Sequence, residues 1–295
     1  MHDRTWIFLT IPAVDPIVAV PRTCRTSSNF RVGPMSDRLL VGNDIVDLRD
    51  RRCPGKSRHL RFVARVFHPW EASRILSADD ADGTLWLHWA AKEAAYKVVS
   101  KCLGKPPVFE HAAFRVRIDR APDPTATDQT GFNTVGSVRY QDLQIPFRAA
   151  WNSDRIHALA WSGEDPKKPS PSIEITTGEA HIQGAALERD NDSTSTAPFD
   201  FLLKERFTLR ERRSIHSPPS AHVRLLARSA MSERLGIDER RLEIVCGGQA
   251  TGRTPPQVFL DRQPDTSDVS MSHHGHRVAW AFAREAATPS PEGSR

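Results

Sequence analysis

Val41-Gly42-Asn43-Asp44-Ile45-Val46-Asp47 and, further on, Trp89-Ala90-Ala91-Lys92-Glu93-Ala94-Ala95-Tyr96-Lys97 are the stretches around which the rest of the chain is organised. The first reads as an apolar β-strand with Asp44 where the pattern would otherwise place an aliphatic side chain. A buried carboxylate without a partner is costly, so Asp44 calls for one. The second stretch reads as a helix whose three-and-four spacing puts Trp89, Glu93 and Lys97 on one face. Two acids drawn from distant elements, with a cation one turn beyond, suit a hard divalent metal holding a phosphate ester. Residue chemistry alone thus points to phosphoryl or pyrophosphate transfer.

The surrounding composition narrows the class. A chain of 295 residues buries one large core or two modest ones. Prolines 12, 16 and 21 and Asp15 interrupt the apolar leader from Trp6 to Val20, so no membrane span is expected there. That leader also lacks a signal-peptide cleavage pattern. Residues 1–36 therefore read as a disordered N-terminal extension, with Met35 a candidate start of the functional chain. Cys24, Cys53, Cys102 and Cys246 are scattered, which argues against a zinc ribbon or a disulfide framework and for a reducing cytoplasm. The net charge of +5 suits anionic partners such as acidic proteins or nucleotide cofactors. No helix-turn-helix or aromatic stacking motif supports nucleic-acid binding.

Taken in order, residues 37–163 predict a metal-binding half. Its helices are expected over Phe62 to Leu76, limited by Pro69, and from about Leu85 to Leu103, with Asp82 or Thr84 as the cap of the second and Gly104 as its stop. Strands are expected at Phe114 to Ile118, at Gly136 to Leu143 and in a hairpin over Phe147 to Trp161. Residues 164–198 are rich in Pro, Ser, Thr, Asp and Glu and predict a flexible linker. A second half over 199–285 predicts a helix from Ser217-Pro218 to Gly236, strands at Leu242 to Cys246 and Val258 to Leu260, and a hairpin over Asp268 to Phe282. Residues 286–295 read as a disordered tail.

The Gly42-Asn43-Asp44 strand followed by Trp-x-x-Lys-Glu-x-x-x-Lys at 89–97, with Arg65, Phe67 and Glu71 between, resembles the 4'-phosphopantetheinyl transferases. Val269-Ser270-Met271-Ser272-His273-His274-Gly275 is similar to the Ser-His segment with which that family binds coenzyme A phosphates. In the long, surfactin-type members the Ser-His segment precedes the Gly-x-Asp strand; here the order is inverted. Residues 205–283 resemble the N-terminal half of a long member and 39–163 the C-terminal half. Asp44-Ile45-Val46-Asp47 is closer to the first motif of holo-acyl-carrier-protein synthase. The resemblance implies an α+β fold of two related halves about a pseudo-twofold axis, working as a monomeric pseudo-dimer.

It further implies transfer of the 4'-phosphopantetheine group of coenzyme A to a serine of an apo acyl or peptidyl carrier protein. Asp44 and Glu93 would bind Mg²⁺, Glu93 would accept the serine proton, and Lys97 would neutralise phosphate charge. Arg253, Ser272 and His273, with Lys97, would hold coenzyme A, and Arg210, Arg212 or Arg213 would meet its 3'-phosphate. Lys92, on another helix face, reads as structural or solvated. Two departures motivate the alternative of a non-catalytic module that binds carrier protein or coenzyme A: Val46 stands where long members have a second acid, and Arg253 replaces the lysine of a Gly-Lys-Pro loop. His273, His274 and His276 would diverge on strands, which disfavours zinc. Gly247 to Thr254 imitates a phosphate loop but lacks its lysine and the following helix.

Overall fold

A computed structural model describes residues 6–10, 39–120, 131–162, 173–182, 197–249 and 252–285. In chain order its elements are β1 (Trp6–Thr10), β2 (Val41–Asp47), α1 (Leu60–Val66), α2 (Pro69–Leu76), α3 (Ala81–Cys102), β3 (Arg115–Arg120), β4 (Thr134–Tyr140), β5 (Leu143–Trp151) and β6 (Arg155–Trp161). There follow β7 (Ile173–His181), α4 (Ala197–Arg206), α5 (Leu209–Arg212), α6 (Pro218–Leu235), β8 (Leu242–Gln249), β9 (Gly252–Leu260), β10 (Gln263–Pro264), β11 (Asp268–His274) and β12 (Arg277–Glu285). Helices and antiparallel sheets make the fold α+β.

The helix α3 organises the first half. Asp80 caps it, its Oδ1 accepting the Gly83 N–H at 2.8 Å. The expected cap Asp82 instead accepts the N–H groups of Gly55 and Ser57, at 2.5 and 2.7 Å, and ties down the preceding loop. An acid anywhere in the first turn satisfies the helix N-terminus, so spacing alone does not choose between Asp80 and Asp82. The buried face of α3 is rich in small residues, Ala90, Ala91, Ala94 and Ala95 among them. Small side chains let it lie close on the five-stranded sheet, ordered β2-β6-β5-β4-β3.

The tightest approach is at Gly42. A Cβ there would collide with the backbone carbonyl oxygen of Ala94 and press on Val98. The glycine of the Gly-x-Asp stretch is thus a packing requirement that brings Asp44 up to α3. Gly42→Ala is expected to cost about 3 kcal/mol, the upper end for overpacking, because backbone cannot step aside. A shift in the urea midpoint checks this; an unchanged midpoint refutes the contact.

The second half carries α6, started by Pro218 and Pro219 and stopped by Gly236 at φ 64°, where glycine alone is unstrained. It packs its Val223, Ala227, Ala230 and Met231 against Trp280 and Phe282 of the four-stranded sheet, ordered β1-β7-β12-β11. A third sheet, β10-β9-β8, flanks it. Here two sequence readings need correction. The segment read as a flexible linker supplies β7, which lies between β1 and β12, and Trp6–Thr10 of the extension pairs with it. The Pro and Ser on either side masked the β-branched run at Ile173-Glu174-Ile175-Thr176-Thr177, whose Ile175, Thr176 and Thr177 are buried. The other residues of the extension, those of the linker at 164–172 and 183–196, and the tail lie outside the described residues.

The two large sheets meet edge to edge through side chains. Asp268, Ser270 and His274, alternate residues of β11, accept the N–H groups of Val41, Asn43 and Asp47 of β2 at 2.6, 2.9 and 3.1 Å. Lys97 and Lys101, one turn apart on α3, bridge this seam from above. Lys101 Nζ reaches Val41 O, Asp268 Oδ2 and Val269 O, each at 2.7 Å. Both open edges are thereby satisfied within the chain.

Candidate active site

Where the halves meet, a cleft of about 750 Å³ opens. One wall is α3, with Glu93, Tyr96 and Lys97; the other comes from the start of α6 and its lead-in, with Arg213, His216 and Arg224. Thr254 and Pro255 of β9 and Met271 and His273 of β11 complete the lining. The cleft is therefore basic and hydroxyl-rich on one side and carries a carboxylate on the other.

Asp44 sits beside Glu93 and Lys97. Its Oδ1 lies 3.2 Å from Lys97 Nζ, and its side chain is only 15% exposed. Burial pushes its pKa up to about 7; the Lys97 ammonium opposes this, and the negative charge of Glu93 adds to it. A divalent cation between the two carboxylates would relieve that repulsion. Both donors are hard oxygens, so the pair fits Mg²⁺, which keeps several waters and shares phosphate oxygens. Among the described residues no cluster of three His, Cys, Asp or Glu side chains adds a further ligand. Val46 is buried in the core, and Asp47 faces the hairpin turn, accepting the His276 N–H at 2.9 Å.

The structure thus lines one cleft with Glu93, Lys97 and His273 and holds Asp44 against Lys97, within the electrostatic reach of Glu93. It does not bring in Ser272, which is buried and accepts the Asn43 Nδ2–H at 3.1 Å instead of facing the cleft. In a strand, alternation lets His273 or Ser272 face the cleft but not both, and β2 takes the serine. Arg253 stands in β9 opposite Gly248, and its side chain lies outside the described residues. Lys97 lines the cleft and also ties the site together. Its ammonium already donates to Asn43 O at 2.6 Å, Asp44 Oδ1 at 3.2 Å and Met271 O at 3.4 Å, so it holds the seam and Asp44.

Of the three arginines expected near a phosphate, Arg213 lines the cleft. Arg210 lies over the Phe259 ring at 4.1 Å, and Arg212 caps the carbonyls of Lys204 and Phe207 at 2.6 and 2.8 Å. Lys92 is buried, its Nζ 2.7 Å from Glu71 Oε2. The histidines diverge: His274 Nδ1 accepts from Asp47, and His276 stacks on His181 at 5.9 Å. Sequence reasoning passed over Arg224, His216 and Lys101. Lys101 was findable, since it lies one turn beyond Lys97 on the same face.

The family model of the 4'-phosphopantetheinyl transferase superfamily matches residues 40–160, which hold β2, α3 and the five-stranded sheet. The mitochondrial holo-[acyl-carrier-protein] synthase of Eremothecium gossypii is 30% identical over 129 residues, covering 41% of this chain and 73% of that protein. The matched span includes Asp44, Glu93 and Lys97, and the chain belongs to the 4'-phosphopantetheinyl transferase superfamily.

Proposed function

We propose that this chain transfers the 4'-phosphopantetheine group of coenzyme A to a serine of an apo acyl or peptidyl carrier protein. The observation that carries the reading is that Asp44, from a separate element, feels the charge of Glu93, which lines a cleft whose far wall is basic. The serine oxygen attacks the phosphorus that bears pantetheine. The bond to the bridging oxygen breaks, and adenosine 3',5'-bisphosphate leaves. In this reading Glu93 accepts the serine proton and Arg213 meets the phosphates of the nucleotide end, while Arg224 is held by Ser214 and Ser220. Lys97 keeps Asp44 in place through its three bonds. Mg²⁺, held by Asp44 and Glu93, would supply charge stabilisation for the pyrophosphate oxygens.

A second, shallower groove of about 530 Å³ is lined by Lys56, Arg58, Arg61 and Arg65, with Leu60 and Phe62 between them. Its charge and exposed leucine suit the acidic face of a carrier protein. Because one chain supplies both walls of the main cleft, the reading includes a monomeric pseudo-dimer. The thiols of Cys53 and Cys246, which form no disulfide, suit a reducing compartment such as the cytoplasm.

Incubation with Mg²⁺, coenzyme A and a panel of apo carriers, followed by mass spectrometry, tests this. The expected result is one added phosphopantetheine per carrier, abolished by EDTA and slowed severalfold as salt rises from about 0.05 to 0.3 M, where surface charges are screened. Intact coenzyme A binding with no modified carrier would leave a binding module in its place.

A further inference from the structure

After α3 the chain turns back and lays Phe109 and His111 along that helix. The His111 ring is clamped between Trp89, at 4.7 Å and 29°, and Phe109, at 4.0 Å and 27°. Its carbonyl oxygen accepts a bond from the buried Lys92 Nζ at 3.1 Å. Ring and backbone are therefore both fixed to the helix that carries Glu93. The ring directs Nε2 at Glu93 Oε1, 3.7 Å away. Among the described residues the Glu93 side chain makes no hydrogen bond, and His111 Nε2 faces it.

At 3.7 Å the contact is longer than a hydrogen bond. The two partners are not equally free to close it. Glu93 ends a flexible stem and is 23% exposed, whereas the imidazole is held on both faces. A small χ rotation of the glutamate brings Oε1 within reach of an Nε2–H donor. A ring kept only for stacking between Trp89 and Phe109 gains nothing from nitrogen; phenylalanine would serve better there.

Resting on the transfer proposed above, the geometry points to His111 as the positioning residue of Glu93. Its Nε2–H holds Oε1, fixes the carboxylate in one orientation and leaves the second oxygen for the cation and the incoming serine. Such outer partners orient metal-binding groups, and losing one typically weakens metal affinity or activity by about 10–100-fold.

Two variants of the full chain separate this from a packing role. His111→Phe keeps the stack and removes the donor; His111→Gln keeps an N–H donor and gives up part of the stack. Mn²⁺ serves as the spectroscopic probe, titrated in the presence of coenzyme A, beside melting of the metal-free proteins and steady-state kinetics. His111→Phe is expected to melt like the parent, bind Mn²⁺ about tenfold more weakly and lose kcat by a similar factor, with the KM for coenzyme A unchanged. His111→Gln is expected to recover most of both. Parent-like Mn²⁺ affinity and kcat in His111→Phe would overturn the assignment while leaving the transfer reading intact. Losses in both variants that follow a lowered melting temperature would overturn it as well, by showing a structural part only. A parent protein that binds no Mn²⁺ would instead sink the transfer reading, and this inference with it.

Discussion

Asp44→Asn is expected to lose at least about a hundredfold in transfer rate and yet to melt several degrees higher than its parent when both are metal-free at pH 8. The two effects share one cause. In the folded chain the Asp44 pKa stands at about 7, raised chiefly by burial, against an ordinary value of 3.8. The folded state therefore holds a proton that the unfolded state has released, and stability falls as pH rises from about 4 to 7. Every tenfold difference in proton affinity between the two states is worth about 1.4 kcal/mol. With solvent still reaching part of the side chain, roughly 2–4 kcal/mol is the scale of the destabilisation carried at pH 8.

Asparagine removes that charge, and with it a hard oxygen donor for the cation. The melting difference between variant and parent should vanish near pH 4 and grow to its full size above pH 7. Excess Mg²⁺ alone should raise the melting temperature of the parent and leave the variant unmoved. Thermal melts across pH with and without Mg²⁺ check both statements. A variant that melts below its parent at pH 8 would show that Asp44 is held by its ion pair with Lys97 rather than strained by burial.

The second large effect lies in the Lys-Glu motif but away from the chemistry. Lys92 and Glu71 are both fully buried. Glu71 also accepts the N–H groups of Val116 and His68, at 2.6 and 2.8 Å, and Lys92 also donates to the carbonyls of His111 and Phe114. The pair thus fastens α2, α3 and the edge of the five-stranded sheet to one another. Lys92→Met strands the Glu71 charge in an apolar interior and should cost about 3–5 kcal/mol. The double variant Lys92→Met, Glu71→Gln leaves no buried charge and should recover a large share of that loss. Urea denaturation of the single and double variants decides it. Additive losses would mean the two side chains contribute independently, and the pair would not be the fastener described here.

Much was legible in the chain before any coordinates. Runs of β-branched and aromatic residues between turn formers marked the two long hairpins, and Gly104 and Gly236 marked two helix ends. The spacing of Trp89, Glu93 and Lys97 put those three on one face of α3. Local signals failed where a strand depends on distant partners. β7 sits between proline- and serine-rich flanks and becomes a strand only because β1 and β12 offer it two edges.

Residue types and short-range periodicity marked the acid-bearing strand and the acid-bearing helix, and the resemblance those motifs carry implied the α+β class and the family. These rest on interactions within a few residues, which the order of amino acids states directly. Tertiary structure alone decided which way each polar side chain turned at the seam. It gave Ser272 to Asn43, committed Lys97 to three acceptors and made Lys92 a buried fastener, because each outcome is a competition among groups far apart in the chain. Burial settles such competitions by leaving no water as an alternative partner.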